Sequence, residues 1–176
     1  MARPMRETVD LAAYPDLVAI YLGMRCNSIR GMGTIFRLGP QIDSSVAAKP
    51  DGLLLHERIF YGFFPLHIGM RQYWRDFDSL ERWARDGQHM DWWKSFAKDP
   101  GGVGFWHETY MMRGGIEAIW ADAPGKFGLK GFAPIVQPRG SMFSARNRVG
   151  QGGAETKASP VGEADFYGPR PKSGEK

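Results

Sequence analysis

A chain of 176 residues, 43% hydrophobic and 13% aromatic, has the length of one domain and enough apolar material for a core. No stretch reaches the roughly 18 to 20 uninterrupted apolar residues of a membrane helix, and the N-terminal MARPMRETVD lacks a secretory apolar run, so the cytoplasm is the expected location. The single cysteine, Cys26, excludes an intrachain disulfide, a cysteine-based zinc site and an iron–sulfur cluster, while the net charge of +4 comes from scattered Lys and Arg without the dense basic run of a nucleic-acid binder.

Strand-like apolar runs alternate with helical segments and no repeat is visible, which is an α+β pattern. Residues 17–26 (LVAIYLGMRC) follow a Tyr14-Pro15-Asp16 turn signal and have the β-branched and aromatic content of a buried strand. Residues 32–48 carry apolar side chains at loosely helical spacing, and Gly39-Pro40 predicts two short helices or a kink there. A turn at Lys49-Pro50-Asp51-Gly52 leads into a second strand over 53–61, and 62–66 is the loop of a hairpin that returns over 67–74.

Asp76 or Asp78 is placed to cap the next helix, which runs from Ser79 to Asp99-Pro100-Gly101-Gly102. In its second half His89, Trp92, Trp93, Phe96 and Ala97 stand at i, i+3, i+4, i+7 and i+8 and share one face. Residues 103–112 and 116–121, joined by Arg113-Gly114-Gly115, predict a closing hairpin. Alternation sets Phe105, His107 and Thr109 on one face of its first arm and Trp106, Glu108 and Tyr110 on the other. Residues 123–129 are irregular. Beyond Gly150 the Gly, Pro and Ser content predicts a mobile tail over 151–176, with Phe166-Tyr167 its one apolar anchor for a partner subunit; 1–150 is the domain.

None of the four histidines stands in a metal-ligand motif, so no metal site is expected. His56 and His67 lie on facing arms of the predicted hairpin, which suits a cross-strand polar pair. His89 is the first catalytic candidate, because an imidazole on an aromatic face can act as a general base near neutral pH or as the axial ligand of a haem iron. A core histidine satisfied by the backbone is the alternative. Trp92, Trp93 and Trp106 either fill the core or wall a cavity for an aromatic substrate. His107 and Glu108 are neighbours on a strand, so only one of them enters a cavity, and Glu108 is alternatively the partner of Arg25 or Arg71. Asn27, Arg71 and Tyr73 stand near the ends of central strands, where they would bind an enolate, phenolate or carboxylate or else remain rim groups. The glycines at 31, 33, 101 and 102 match no nucleotide fingerprint, so no NAD, flavin or ATP site is expected.

The segments Leu22-Gly23-Met24-Arg25-Cys26-Asn27, Gln72-Tyr73-Trp74-Arg75-Asp76-Phe77-Asp78-Ser79-Leu80-Glu81, Gly104-Phe105-Trp106-His107-Glu108-Thr109-Tyr110 and Pro124-Gly125-Lys126-Phe127-Gly128-Leu129 follow one another as they do in a known family. Over residues 15–150 the chain resembles the family related to the monooxygenase of fumagillin biosynthesis. The resemblance implies the dimeric α/β-barrel superfamily, with a ferredoxin-like antiparallel sheet, helices on one face, and two sheets paired in a homodimer. It implies a small-molecule oxidoreductase, a monooxygenase acting on an electron-rich organic substrate with no cofactor or with haem bound through His89. Nucleic acid and membrane are not expected partners. Two other readings stay open: a haem-dependent lyase resembling aldoxime dehydratases, and a non-catalytic barrel filled by its own tryptophans. The interrupted first helical region and the long tail depart from the family pattern.

Overall fold

A computed structural model describes residues 5–85, 87–113 and 115–150. In chain order the elements are β1 Arg6–Val9, β2 Val18–Cys26, α1 Ile29–Ala47, β3 Leu53–Phe63, β4 Leu66–Trp74, α2 Phe77–Ala84, α3 Gly87–Lys98, β5 Val103–Met111, β6 Trp120–Ala121, β7 Ile135–Val136 and α4 Ala145–Gly150. They belong to two compact units, Asp16–Met111 and, drawn from both ends of the chain, residues 5–15 with 112–150, where the sequence suggests one domain over 1–150. The tail and its Phe166-Tyr167 pair lie outside the described residues. No described helix is long and apolar enough to cross a membrane.

The unit Asp16–Met111 is built on a four-stranded sheet of order β3-β4-β2-β5 with every neighbouring pair antiparallel. Two β-α-β segments, β2-α1-β3 and β4-α2-α3-β5, interleave to give that order, which is the ferredoxin-like topology. The register sets Leu22 beside both Met70 and His107, and Met24 beside Ile68 and Phe105. Period two then puts Ile20, Leu22, Met24, Ile68, Met70, Gln72, Trp74, Phe105 and His107 on one face. The helices cover that face: Ile35 of α1 packs with Met24, Cys26 and Val103, and Leu80 of α2 packs with Val18 and Trp74.

Helix α1 is a single helix through Gly39-Pro40 and not two short ones. Its buried residues are Gly31 and Ile35, and Pro40 is exposed. The missing proline N–H frees the carbonyl of Phe36, itself 68% exposed. That lost bond falls where both residues are exposed, so water can replace it.

The single helix expected after Ser79 is instead two, α2 and α3. Asp76 caps α2, its Oδ1 accepting from the Ser79 N–H at 2.7 Å; this bond, with the Arg75 guanidinium, holds the Asp76 pKa down at about 2. On one continuous helix Trp83 and His89 would be rotated apart by about 120°. Splitting the helix brings their rings to 4.0 Å between centroids.

The unit formed by the chain ends has a three-stranded sheet, β6-β1-β7, with β1 in the middle. The expected hairpin between residues 103–112 and 116–121 does not form. All nine residues of β5 pair with β2, whereas the later segment contributes only Trp120 and Ala121, paired to Glu7 and Arg6. The later segment finds its partner in β1 instead, which takes Trp120 and Ala121 into the other sheet. Two buried cations of this unit are engaged by oxygens: Lys130 Nζ donates to Glu7 Oε2 and to the Ala123 carbonyl, and Arg148 to Glu117 Oε2 and the carbonyls of Met142 and Phe143.

Candidate functional site

Between the covered sheet face and the three helices of the Asp16–Met111 unit lies a cavity of about 620 Å³. Leu22, Met24, Ile68 and Met70 form its floor, and Ile35, Leu38, Ile42, Phe96 and Phe105 are among its apolar walls. The titratable groups on it are few: His56 and Arg58 from β3, Asp43 from α1 and His89 from α3. Asp43 and Arg58 pair with each other at 2.5 Å across the rim, both well exposed. An apolar concavity with a few convergent polar groups is the usual form of a small-molecule site.

Aromatic rings run in series along one side. Trp74 lies 5.2 Å from Trp83, Trp83 4.0 Å from His89, and His89 4.8 Å from Trp92, centroid to centroid. The two outer indoles are pinned to α1, Trp83 Nε1 donating to Ser45 Oγ at 3.1 Å and Trp92 Nε1 to Gln41 Oε1 at 2.9 Å. The half-buried His89 imidazole is therefore held between two fixed indole rings.

His56, on the edge strand, stands directly opposite Gln72. Gln72 is fully buried; its amide nitrogen contacts His56 Nδ1 at 3.2 Å and Met70 Sδ at 3.8 Å, and its oxygen accepts from Trp74 Nε1 at 3.1 Å. Burial pushes the His56 pKa down and nearby Arg58 adds to this, outweighing the upward pull of Asp43 and Glu57.

The opposite sheet face carries a separate polar and aromatic set. Arg71 donates from Nε and Nη2 to Glu57 Oε2, at 2.9 and 2.5 Å, and from Nη1 to the Tyr21 hydroxyl at 3.2 Å. Burial opposes the Arg71 charge, but those two partners outweigh it and keep the guanidinium protonated. Burial also lifts the Tyr73 hydroxyl to about 12, against the pull of Arg71, so it stays protonated at neutral pH. Trp106 Nε1 donates to His67 Nε2 at 2.8 Å, and Tyr110 donates to Glu108 at 2.5 Å.

Of the residues singled out in the sequence, the cavity brings together His89 and Trp92. Nothing is described of the Trp93 side chain. His107 is on the covered face beside Leu22 but is exposed and does not line the cavity. Arg71, Tyr73, Trp106 and Glu108 belong to the other face, and Asn27 lies exposed just beyond the end of β2. Glu57, not Glu108, is the partner of Arg71. His56 and His67 are not a cross-strand pair: the register sets them opposite Gln72 and Gly62, on opposite faces. His56, Trp83 and Gln72 escape the sequence reading; alternation along residues 56, 58 and 60 was the available signal for His56. Among the described residues no group of three metal-ligating side chains is assembled.

Among solved structures, an aldoxime dehydratase shares 20% identity with this chain at a TM-score of 0.63, covering 85% of the chain and 45% of the dehydratase. The aldoxime dehydratase OxdRE in complex with butyraldoxime gives 21% identity and a TM-score of 0.64, covering 87% and 44%. The chain thus spans less than half the length of these proteins, and the likeness is one of fold. SnoaB, a cofactor-independent oxygenase from Streptomyces nogalater, is 11% identical at a TM-score of 0.41, with coverages of 55% and 92%. No curated protein matches the chain. The profile of the family described as Monooxygenase af470-like matches residues 17–129, from the start of β2 past the closing strand of the sheet. That match takes in well over half of the chain, and the chain belongs to this family.

Proposed function

We propose that the protein inserts one oxygen atom of O2 into an electron-rich organic substrate held in the cavity of about 620 Å³, with His89 as the base. The observation that carries this reading is the half-buried imidazole of His89 between Trp83 and Trp92, on a cavity that is otherwise almost wholly apolar. Aromatic walls suit a planar substrate, and an imidazole titrates in the range where a base must work. The substrate class is a phenol or enolisable ketone with an activated methylene. His89 removes one methylene proton, and the resulting carbanion reduces O2 and joins it as a hydroperoxide. Loss of the second C–H proton breaks the O–O bond, leaving a carbonyl and releasing water. In net terms CH2 and O2 become C=O and H2O, so no external reductant is required.

Haem fits the same donor set. His89 is the residue that would hold its iron, and Leu22, Met24, Ile68 and Met70 would give it apolar surroundings. When bound, haem would supply redox activation of oxygen or of an aldoxime N–O bond, the second reading favoured by the fold likeness to aldoxime dehydratases. Oxygen uptake by the purified protein, tested over a panel of phenols and enolisable diketones with isotopically labelled O2, separates these cases. One labelled oxygen in the product and the other in water is the expected result. A Soret band after haem addition that disappears in His89→Ala marks the haem reading, and no uptake with or without haem overturns the oxygenase assignment.

The assembly is proposed to be a homodimer. Phe60, Tyr61, Phe63 and Phe64 at the β3–β4 hairpin are 51%, 44%, 72% and 101% exposed, a concentration of aromatic surface that a monomer rarely leaves in water. Light scattering at micromolar concentration is expected to give twice the chain mass of 19.7 kDa; a monomer overturns the assembly.

A further inference from the structure

We infer that His56 is a fixed N–H donor facing the cavity, held in one tautomer by Gln72, and that it binds the anionic oxygen of a phenolate or enolate there. Only the choice of ligand rests on the oxygenase reading; the tautomer follows from hydrogen-bond bookkeeping within the sheet.

The chain of reasoning begins at Trp74, whose side chain is fully buried. An indole Nε1–H can only donate. Its acceptor is Gln72 Oε1 at 3.1 Å. That bond fixes which end of the Gln72 amide points which way, because turning the amide over would set its NH2 group against the indole N–H with no water to intervene. The amide nitrogen then faces His56 Nδ1 at 3.2 Å and Met70 Sδ at 3.8 Å, which accounts for both of its protons. A donor facing Nδ1 requires a lone pair on Nδ1. The neutral ring must therefore carry its proton on Nε2.

Among the described residues none accepts from Nε2, and the His56 ring lines the cavity while Gln72 lies behind it in the sheet. The imidazole thus presents a donor where His89, on the α3 side, presents a base. Two imidazoles with opposite assignments are what enolate chemistry requires: one takes the proton, and the other receives the negative charge that moves to oxygen. The charged groups around His56 are Asp43 of α1 and Arg58 of β3, which neutralise each other across the rim at 2.5 Å, and Glu57, which is occupied by Arg71 on the opposite face. None of them replaces Gln72 at Nδ1. Gln72 is a positioning residue, acting through His56.

Nitrogen–proton correlation spectra of the full chain with isotope-labelled histidine read the tautomer directly. The expected result is Nε2–H for His56, with the ring neutral to below the ordinary histidine range. Gln72→Glu preserves volume and still accepts from Trp74, but turns the donor facing Nδ1 into an acceptor. It is expected to move the His56 proton to Nδ1 and to raise its titration midpoint. An Nδ1–H tautomer in the unmodified chain, or an unchanged one in Gln72→Glu, overturns the assignment. The oxyanion role is read with para-nitrophenol, whose phenolate absorbs separately from the phenol. At a fixed pH above the His56 midpoint of every form, where the ring is neutral, the bound phenolate-to-phenol ratio is expected to fall by about tenfold or more in His56→Ala, and in the same sense in Gln72→Glu, which serves alone if His56→Ala does not fold. Equal ratios in all forms, or no binding of the probe, overturn the oxyanion role. Neither readout needs turnover, so failure of the oxygenase assignment leaves both measurable.

Discussion

Replacing His89 with alanine is expected to lower substrate-dependent oxygen uptake by about a hundred- to ten-thousand-fold, the range a positioned general base contributes. The protein should remain folded. Its tilted ring contacts with Trp83 and Trp92, at 4.0 and 4.8 Å between centroids, each contribute about 1 kcal/mol. The indoles keep their own anchors, since Trp83 and Trp92 donate to Ser45 and Gln41 rather than to His89. Turnover and stability therefore separate. A histidine whose role is structural would reverse the pattern, with a melting transition lowered by about 1 to 3 kcal/mol from an orphaned partner and turnover per folded molecule preserved. His107→Ala is the informative comparison. His107 shares the covered sheet face but is exposed and off the cavity, so its loss should leave uptake near that of the unmodified chain. Loss of activity in His107→Ala with retention in His89→Ala would move the working base from α3 to β5.

The strands of the larger unit were legible because each is a long apolar run with strong alternation, and the aromatic face of α3 was legible because helical spacing groups His89 with Trp92 and Phe96. Three features were not, and each depends on a quantity that one segment does not contain. Whether Pro40 breaks α1 depends on how the helix meets the sheet; with Gly31 and Ile35 packed inward, the proline stays exposed at the edge of the cavity. Whether 103–112 pairs with 116–121 depends on a distant strand, because Trp120 and Ala121 pair instead with Glu7 and Arg6 of β1. Which histidine of the β3–β4 hairpin enters the cavity depends on register, and a one-residue slip exchanges faces. The irregularity between Phe60 and Gly62 alters that register near the turn, yet leaves His56 opposite Gln72. His56 consequently looked like the equal of His67, although one lies on the cavity and the other accepts from Trp106 on the opposite face.

A large effect on stability is expected at a residue with no side chain. Gly23 and Gly69 stand opposite each other on β2 and β4, facing away from the cavity, in the centre of the sheet. The rings of Trp106 and Tyr61 approach them there: a Cβ on Gly23 would lie 2.9 Å from Trp106, and one on Gly69 2.9 Å from Tyr61 and 2.5 Å from the Leu22 carbonyl oxygen. A tyrosine ring can swing aside, but a ladder carbonyl cannot move without lengthening the β2–β4 hydrogen bonds around it. Gly69→Ala should therefore cost about 1 to 3 kcal/mol, the range for overpacking a closed site, which in a unit of this size lowers the melting temperature by roughly 4 to 8 °C per kcal/mol. Gly62→Ala is the control on the neighbouring strand, because a Cβ there meets nothing within 4 Å; its effect should stay within about 0.5 kcal/mol. Leu22 and Ile68, which floor the cavity, are the chain neighbours of these two glycines, so a shift of the two backbones is felt on the cavity face as well. Calorimetry and para-nitrophenol binding measured on the same variant should fall together in Gly69→Ala and stay unchanged in Gly62→Ala. A Gly69→Ala protein that melts with the unmodified chain would show that the sheet centre is looser than this contact geometry requires.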